Sequence, residues 1–569
     1  MKNSLSQCSS DSIFKLLLLL LIAIPLQAQA PPSPPVSSPA SPEIPVVRSY
    51  TRLVQVNVVV TDKKGVPISG LKKEDFTVVD GKEPQQVAVF LAASHAPSAP
   101  VQHLPFNIFT NRYDVLGEDP GSINIVLFDA LNTGPTDILN ARNQMIKFLK
   151  SLKPQDRVAI YALTKDLLIL HDFTADSAAL VGIVQQAESA TSPDGFFSSL
   201  SATSSVWSGL NSVTNNSEAL YRLQQDVDRA KTTLIALQII AEHVSGITGR
   251  KSLIWVSGGI PRELFDPGGG SQYDLNDKEK RTAEALGRAD IAVYPVDVHG
   301  MEITTGMSPS SRSGPQQTAS LSNTFFARRS RYETFNLIAD QTGGQAFYGT
   351  NDLAAAAQKA VGDGRQAYTL GYYPTHNEWN GKFRPVKVQV RIPGAELRYR
   401  KGYFAAAVNT DTQSIAETDI HNAALSPLEA TALRLIVSVR HTAPATPRQL
   451  EFQIGVDVGQ LLLQHSADHW NGGIDLLFLQ RDAKSELLSA EQKHIGLNLP
   501  DAQYEGLLKA GAIFQKNVDI SPLAANVRVL VRDSATGIIG TLTVPLKNFF
   551  NASPAPATPP DKDVKPPSP

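Results

Sequence analysis

The sequence predicts an α/β protein: a doubly wound, mostly parallel sheet flanked by small all-β modules. Three observations carry that prediction. Residues 123–128 (INIVLF), 252–256 (SLIWV) and 291–296 (IAVYPV) are continuous apolar runs, as strands covered on both faces should be. Segments of helical pattern alternate with them, which implies right-handed βαβ crossovers. At both flanks, hydrophobic and polar residues instead alternate at period two.

Taken in order, residues 47–95 form a small β-rich module. Val54, Val56, Val58 and Val60 share one strand face, and turn signals follow at Asp62-Lys63-Lys64-Gly65 and Asp80-Gly81, with strands at 76–79 and 86–90. The central domain spans 105–367. Its strands are expected at 123–128, 157–163, 167–171, 252–256, 291–296 and 345–348, and its helices at 136–152, 176–188, 218–247, 277–289, 332–341 and 352–361. A Ser/Thr/Asn-rich insertion occupies 189–217. A β extension at 368–404 and a linker at 405–424 precede a β-sandwich-like domain at 425–548, where six short alternating runs begin near Leu433 and end near Pro545.

Composition bounds the function. At 569 residues the chain has room for three to four domains of about 150 residues. Its 52 basic and 54 acidic side chains leave a net charge of −2, which excludes a dedicated nucleic-acid binder. Lys2 and Lys15 precede the 11-residue apolar run Leu16–Leu26, and small residues follow, as in a secretory signal peptide cleaved after Ala28. That run is shorter than the ~20 residues a bilayer requires, so no membrane span is expected after signal removal. The lone cysteine, Cys8, lies in the removable segment, so the exported chain, periplasmic or extracellular, carries no disulfide framework, cysteine nucleophile or thiolate metal site. Residues 29–46 are a Pro/Ser-rich tether and 549–569 a Pro-rich tail. Nothing in the sequence sets the oligomeric state.

Ligands of parallel sheets sit beyond the carboxyl ends of the strands. The first apolar strand ends in Asp129, with Asn132 and Thr133 close behind, and such oxygens suit Mg²⁺, Mn²⁺ or Ca²⁺. Asp129 equally reads as a helix N-cap or as a loop carboxylate accepting backbone N–H groups. The segments INIVLFDALNT, RVAIYALT and GRKSLIWVSGG resemble von Willebrand factor type A domains. VNVVVTDKKGVPISGLKKEDFTVVDG before them, and YTLGYYPTHNEWNGKFRPVKVQV with RYRKGYF after them, are similar to the von Willebrand factor A-related proteins common in acidobacteria. The resemblance covers residues 47–404. It implies a von Willebrand A-like central domain, and adhesive or scaffolding recognition of a protein or cell-surface ligand rather than catalysis.

The family's metal-ion-dependent adhesion site uses Asp-x-Ser-x-Ser with a distant Thr and a distant Asp. Carried over, Asp129 is the first Asp, Leu131 replaces the middle Ser, and Thr133 stands for the last Ser, with Asn132 one position away. Where the distant Asp is expected this chain has Ser257-Gly258-Gly259, with Glu263 or Asp266 as substitutes, and the distant Thr is Thr203 or Thr214. The resemblance thus implies a degenerate site for Mg²⁺ or another divalent cation at Asp129, Asn132 and Thr133, and a ligand-binding face to which Ser257 adds. The loops 129–137, 189–217 and 257–276 are expected on that face, the last made pliable by Gly268, Gly269 and Gly270.

Enzyme motifs are missing: no His-Glu-x-x-His, no phosphate-cradling Gly-x-x-x-x-Gly-Lys and no Gly-x-Ser-x-Gly. The chain is therefore expected not to be an enzyme. The alternatives are a structural envelope scaffold without a metal site and a serine hydrolase using Ser257, His299 and Asp297. His465, His469 and Trp470 are expected at one solvated turn, and Arg328, Arg329 and Arg331 at a helix entrance able to seat an acidic partner.

Overall fold

The computed structural model describes residues 53–92, 104–189, 217–376 and 380–550, apart from 114, 116–122, 248, 261–263, 266–271, 274, 301–314, 381, 406–412, 443–447 and 467. The strands run β1 (Val54–Thr61), β2 (Phe76–Asp80), β3 (Glu83–Gln85), β4 (Val87–Leu91), β5 (Ile108–Thr110), β6 (Ile123–Asp129), β7 (Arg157–Leu163), β8 (Leu167–Thr174), β9 (Lys251–Ser257), β10 (Leu264–Phe265), β11 (Gln272–Tyr273) and β12 (Ile291–Asp297). They continue as β13 (Tyr368–Tyr372), β14 (Phe383–Val390), β15 (Glu396–Arg398), β16 (Gly402–Phe404), β17 (Leu435–His441), β18 (Gln449–Val456), β19 (Gln464–Ser466), β20 (His469–Arg481), β21 (Leu487–Pro500), β22 (Ala512–Asp519), β23 (Asn526–Asp533) and β24 (Ile539–Pro545). The helices are α1 (Pro135–Lys150), α2 (Ser177–Ser189), α3 (Ser217–Val244), α4 (Asn276–Arg288), α5 (Pro315–Thr342), α6 (Leu353–Gln366), α7 (Gln413–Leu425), α8 (Asp501–Ala510) and α9 (Lys547–Phe550).

The expected fold class is corrected by this architecture. Among the described residues strand exceeds helix, at 40% against 31%, and the architecture is not a doubly wound, mostly parallel α/β one with minor β flanks. Of the six sheets among the described residues, five pair only antiparallel, and the central one, ordered β12-β9-β6-β7-β8, closes on an antiparallel β8. The sequence reading gave the long apolar runs too much weight. Half-buried antiparallel strands carry only alternating hydrophobicity, a weaker signal, yet they supply most of the sheet.

Strands far apart in sequence make the first β region. Val56 of β1 lies opposite Leu370 of β13, and Val78 of β2 opposite Val388 of β14. Residues of 53–91 and 368–404 thus share one core of Val56, Val58, Val78, Leu370, Tyr372 and Val388. The period-two face of β1 explains this, because Val54, Val56, Val58 and Val60 all enter that core.

In the central sheet, β6, β7, β9 and β12 run parallel, and both faces are covered. Ile125 and Leu127 face Leu234, Leu237 and Ile240 of α3, while Val126 and Phe128 face Met145 and Phe148 of α1. The register aligns Asp129, Ser257 and Asp297 in one row at the carboxyl ends of three neighbouring strands. Residues 345–348 contribute only a single bridge, Phe347 to Val296, and α5 begins well before the expected helix at 332.

The C-terminal β region packs β22-β18-β17-β5 against a sheet of β19, β20, β21, β23 and β24, around Phe452, Ile454, Leu476, Phe478, Val529 and Val531. β5, from the segment assigned to the central domain, joins β17, and the expected linker contains α7. His243 at the end of α3 bonds the Glu429 carbonyl through Nδ1 at 2.7 Å, and Gly246 N–H donates to Thr431 Oγ1 at 2.8 Å, so this region is tied directly to α3. No helix among the described residues is long and apolar enough to cross a membrane.

Candidate functional site

Asp129 ends β6 at 1% exposure, and its carboxylate is surrounded by donors. Asn132 donates its backbone N–H to Oδ1 at 3.1 Å and its side-chain amide to both oxygens at 3.0 and 2.8 Å. Trp255 Nε1 donates to Oδ2 at 3.1 Å and Ser257 Oγ at 2.7 Å. Trp255 and Ser257 alternate with the strand pleat, so both point from β9 to the same side. A second chain of bonds closes the turn. Thr133 Oγ1 donates to the Asp129 carbonyl at 2.6 Å and accepts from Gly258 N–H at 3.0 Å, while Gly259 N–H donates to Ser257 Oγ at 2.8 Å. Gly258 is required here because a Cβ on it would lie 2.2 Å from the Asn132 carbonyl oxygen.

Burial pushes the Asp129 carboxyl above its ordinary range, and the hydrogen bonds from Ser257, Asn132 and Trp255 work against that rise. The structure therefore brings together all four residues expected at this site, Asp129, Asn132, Thr133 and Ser257, but as a closed hydrogen-bond network. A divalent cation needs oxygens with free lone pairs, commonly about six of them. Here N–H and O–H groups occupy the carboxylate, Thr133 Oγ1 is committed on both sides, and Leu131 supplies no oxygen. The donor set does not fit a divalent cation, and no group of three or more His, Cys, Asp or Glu placed to hold a metal occurs among the described residues. Thr203, Thr214, Glu263, Asp266, Gly268, Gly269, Gly270, Cys8 with the signal segment, both Pro-rich ends and the interior of the insertion lie outside the described residues.

Beside this network, at the end of β12, Asp297 Oδ1 accepts from His299 Nδ1 at 2.7 Å and from the His299 backbone N–H at 3.2 Å. His299 Nε2 lies 3.3 Å from Arg331 Nη1 on α5 and 3.9 Å from Asp137 Oδ2 on α1. The side chains of His299 and Asp137 are 22% and 34% exposed, so this is the open part of the face. Ser257 is fully buried and gives its proton to Asp129, so no hydrogen bond joins it to His299 and the three residues do not form a relay.

Sequence reasoning missed Trp255 and Thr233, and it placed Arg331 at a helix entrance, whereas Arg331 lies within α5 beside His299. Thr233 Oγ1 accepts from Asn132 Nδ2 at 2.8 Å, but it sits within α3, about a hundred positions away, and only packing reveals the contact. Trp255 was within reach, since a polar-edged ring two residues before Ser257 must share its strand face. The other motifs resolve locally. His465 Nε2 pairs with Asp501 Oδ1 at 2.8 Å and His469 Nδ1 with Asp468 Oδ1 at 2.7 Å, while the Trp470 ring stacks on Tyr504 at 4.2 Å. Arg329 donates to Glu333 along α5 at 2.9 Å.

No family model and no curated protein matches the chain. Among solved structures it is similar to an aerotolerance-related membrane protein from Bacteroides fragilis, at 14% identity over 42% of this chain and 98% of that one, with a TM-score of 0.24. It is similar to the pilus adhesin SpaC from Lactobacillus rhamnosus GG at 8% identity over 74% and 57%, with a TM-score of 0.23. Three N-terminal domains of the type V pili tip protein Mfa5 from Porphyromonas gingivalis match at 11% identity over 88% and 98%, with a TM-score of 0.25. Likenesses this distant carry no weight for function.

Proposed function

We propose that this is an exported, non-catalytic interaction protein that holds a protein or cell-surface ligand on the loop face at the carboxyl ends of β6, β9 and β12. The observation that carries this reading is the division of labour on that face. Asp129, Asn132, Thr133, Trp255 and Ser257 are consumed in fixing the loops, while Asp137, His299 and Arg331 line a partly exposed polar rim above them. A rigid floor with an adaptable polar rim suits recognition, and it offers no activated nucleophile. Recognition on this reading is independent of a metal ion.

The test is binding of the purified chain to intact cells and to the secreted fraction of its source, compared with Asp137→Ala, His299→Ala and the distal control Lys484→Glu. The two rim variants are expected to lose at least about tenfold in affinity at unchanged thermal stability, the scale of truncating a central polar contact. Equal binding by all four proteins would place the ligand elsewhere. The scaffold reading draws on the bonds from His243 and Gly246 to Glu429 and Thr431. It requires limited proteolysis to leave the central and C-terminal regions joined, with no rim variant affecting any partner.

A further inference from the structure

We propose that β21 is a self-association edge, through which two copies of this chain join as an antiparallel pair centred on Gln492. This is independent of the loop face. β21 pairs with β20 along its whole length, from His469–Pro500 to Arg481–Leu487, and among the described residues no strand occupies its other edge. The eight residues from Leu487 to His494 are all exposed, although Glu491 reaches across to Lys516 of β22. An exposed edge of this length presents a row of unpaired N–H and C=O groups, and natural proteins rarely leave one unprotected. No proline interrupts 487–499, and the only register irregularity lies at the far end, opposite Gln480 and Arg481.

Charge identifies the occupant. The centre of the strand reads Glu491-Gln492-Lys493. A two-fold axis at Gln492 sets Glu491 of each copy opposite Lys493 of the other, so two complementary pairs form. Ala490 then faces His494, Ser489 faces Ile495, Leu488 faces Gly496 and Leu487 faces Leu497. Moving the axis one residue, to Glu491 or to Lys493, sets like charges directly against each other. An unrelated strand would meet the unmatched Lys493, the usual protection of an edge, whereas a second copy neutralises it. Within one chain Glu491 pairs with Lys516 of β22, and Lys493 makes no ion pair among the described residues, so the cation is still available for a partner. Both residues lie on the face shared with Leu476 and Phe478, so the new pairs continue the face that covers the sandwich core.

The experiment is sedimentation equilibrium of the full chain as wild type, Lys493→Glu, Glu491→Lys and the exchange Glu491→Lys with Lys493→Glu. Each single reversal is expected to weaken dimerisation by about tenfold or more, and the exchange to restore it, because only the exchange returns opposite charges to opposite places. A disulfide trap reads the axis directly. In a Cys8→Ser background, Gln492→Cys faces its own copy at a Cα separation of about 4.5–5.5 Å, within disulfide range, whereas Ala490→Cys does not. Cross-linking of the first and not the second supports the pairing. A monomeric wild type, a dimer indifferent to charge reversal, or equal cross-linking at both positions would each overturn it.

Discussion

Replacing Asp129 with alanine separates a structural carboxylate from a metal ligand. The substitution leaves Trp255 Nε1–H and the Ser257 hydroxyl proton without their acceptor, on two side chains with 0% exposure. Each orphaned buried donor costs about 1–3 kcal/mol, so the loss is about 2–6 kcal/mol before relaxation. Removing a buried charge offsets part of it. Burial raises the Asp129 pKa, so its stabilising contribution is complete only below the unfolded value of 3.8 and is lost as pH rises through the folded value. Burial disfavours the charged form of this carboxyl, so the net destabilisation expected is about 3 kcal/mol. Urea unfolding followed by tryptophan fluorescence measures this, with the first transition assigned to the central region. Magnesium is expected to change neither protein, since a cation bound to the folded state at a hundred times its Kd would add about 2.7 kcal/mol. A variant within about 0.5 kcal/mol of wild type, or a wild type stabilised by Mg²⁺ when the variant is not, would refute the closed-network account.

Three further outcomes follow. Burial holds the His243 imidazole below its ordinary pKa of 6.5, so the folded state binds fewer protons there than the unfolded state. Stability from His243 is then present above pH 6.5 and lost as pH falls through the folded value, at up to about 1.4 kcal/mol per pH unit, and His243→Gln should flatten that slope in chemical unfolding between pH 7 and 5.5. Gly258→Ala places a methyl 2.2 Å from the Asn132 carbonyl oxygen, so it should displace the 129–134 loop, which amide exchange at Asn132 and Thr133 would detect. A fluorophosphonate probe should leave Ser257 unlabelled, because the hydroxyl is buried and bonded to Asp129; peptide mapping that finds an adduct there would revive the hydrolase reading.

The strands at 123–128, 252–256 and 291–296 were legible because continuous hydrophobicity is a property of neighbouring residues. Asp129, Asn132, Thr133 and Ser257 were legible as one site because strand ends of parallel sheets converge. The class of the whole fold was misjudged for the same reason that those strands were easy to see. β21, with LLSAEQKHIGLNLP, was not anticipated, since only its second half, through Ile495, Leu497 and Leu499, has a face turned to the core, and residues 487–494 are exposed with no buried face to pattern them. α8 went unseen as well, being a short surface helix with no buried residue.

Local pattern thus specified where the chain extends and where it coils, together with the polar residues that end the central strands. Tertiary structure alone decided that β1 pairs with β13 across some three hundred residues, and that Asp129 spends its lone pairs on Trp255, Ser257 and Asn132. The physical reason is the range of the forces involved. Hydrophobic periodicity acts along the chain and is written in adjacent residues. A hydrogen-bond acceptor takes whichever donors the completed packing brings within 3 Å, so whether a carboxylate binds a cation or closes a loop is settled only when the distant strand and helix arrive.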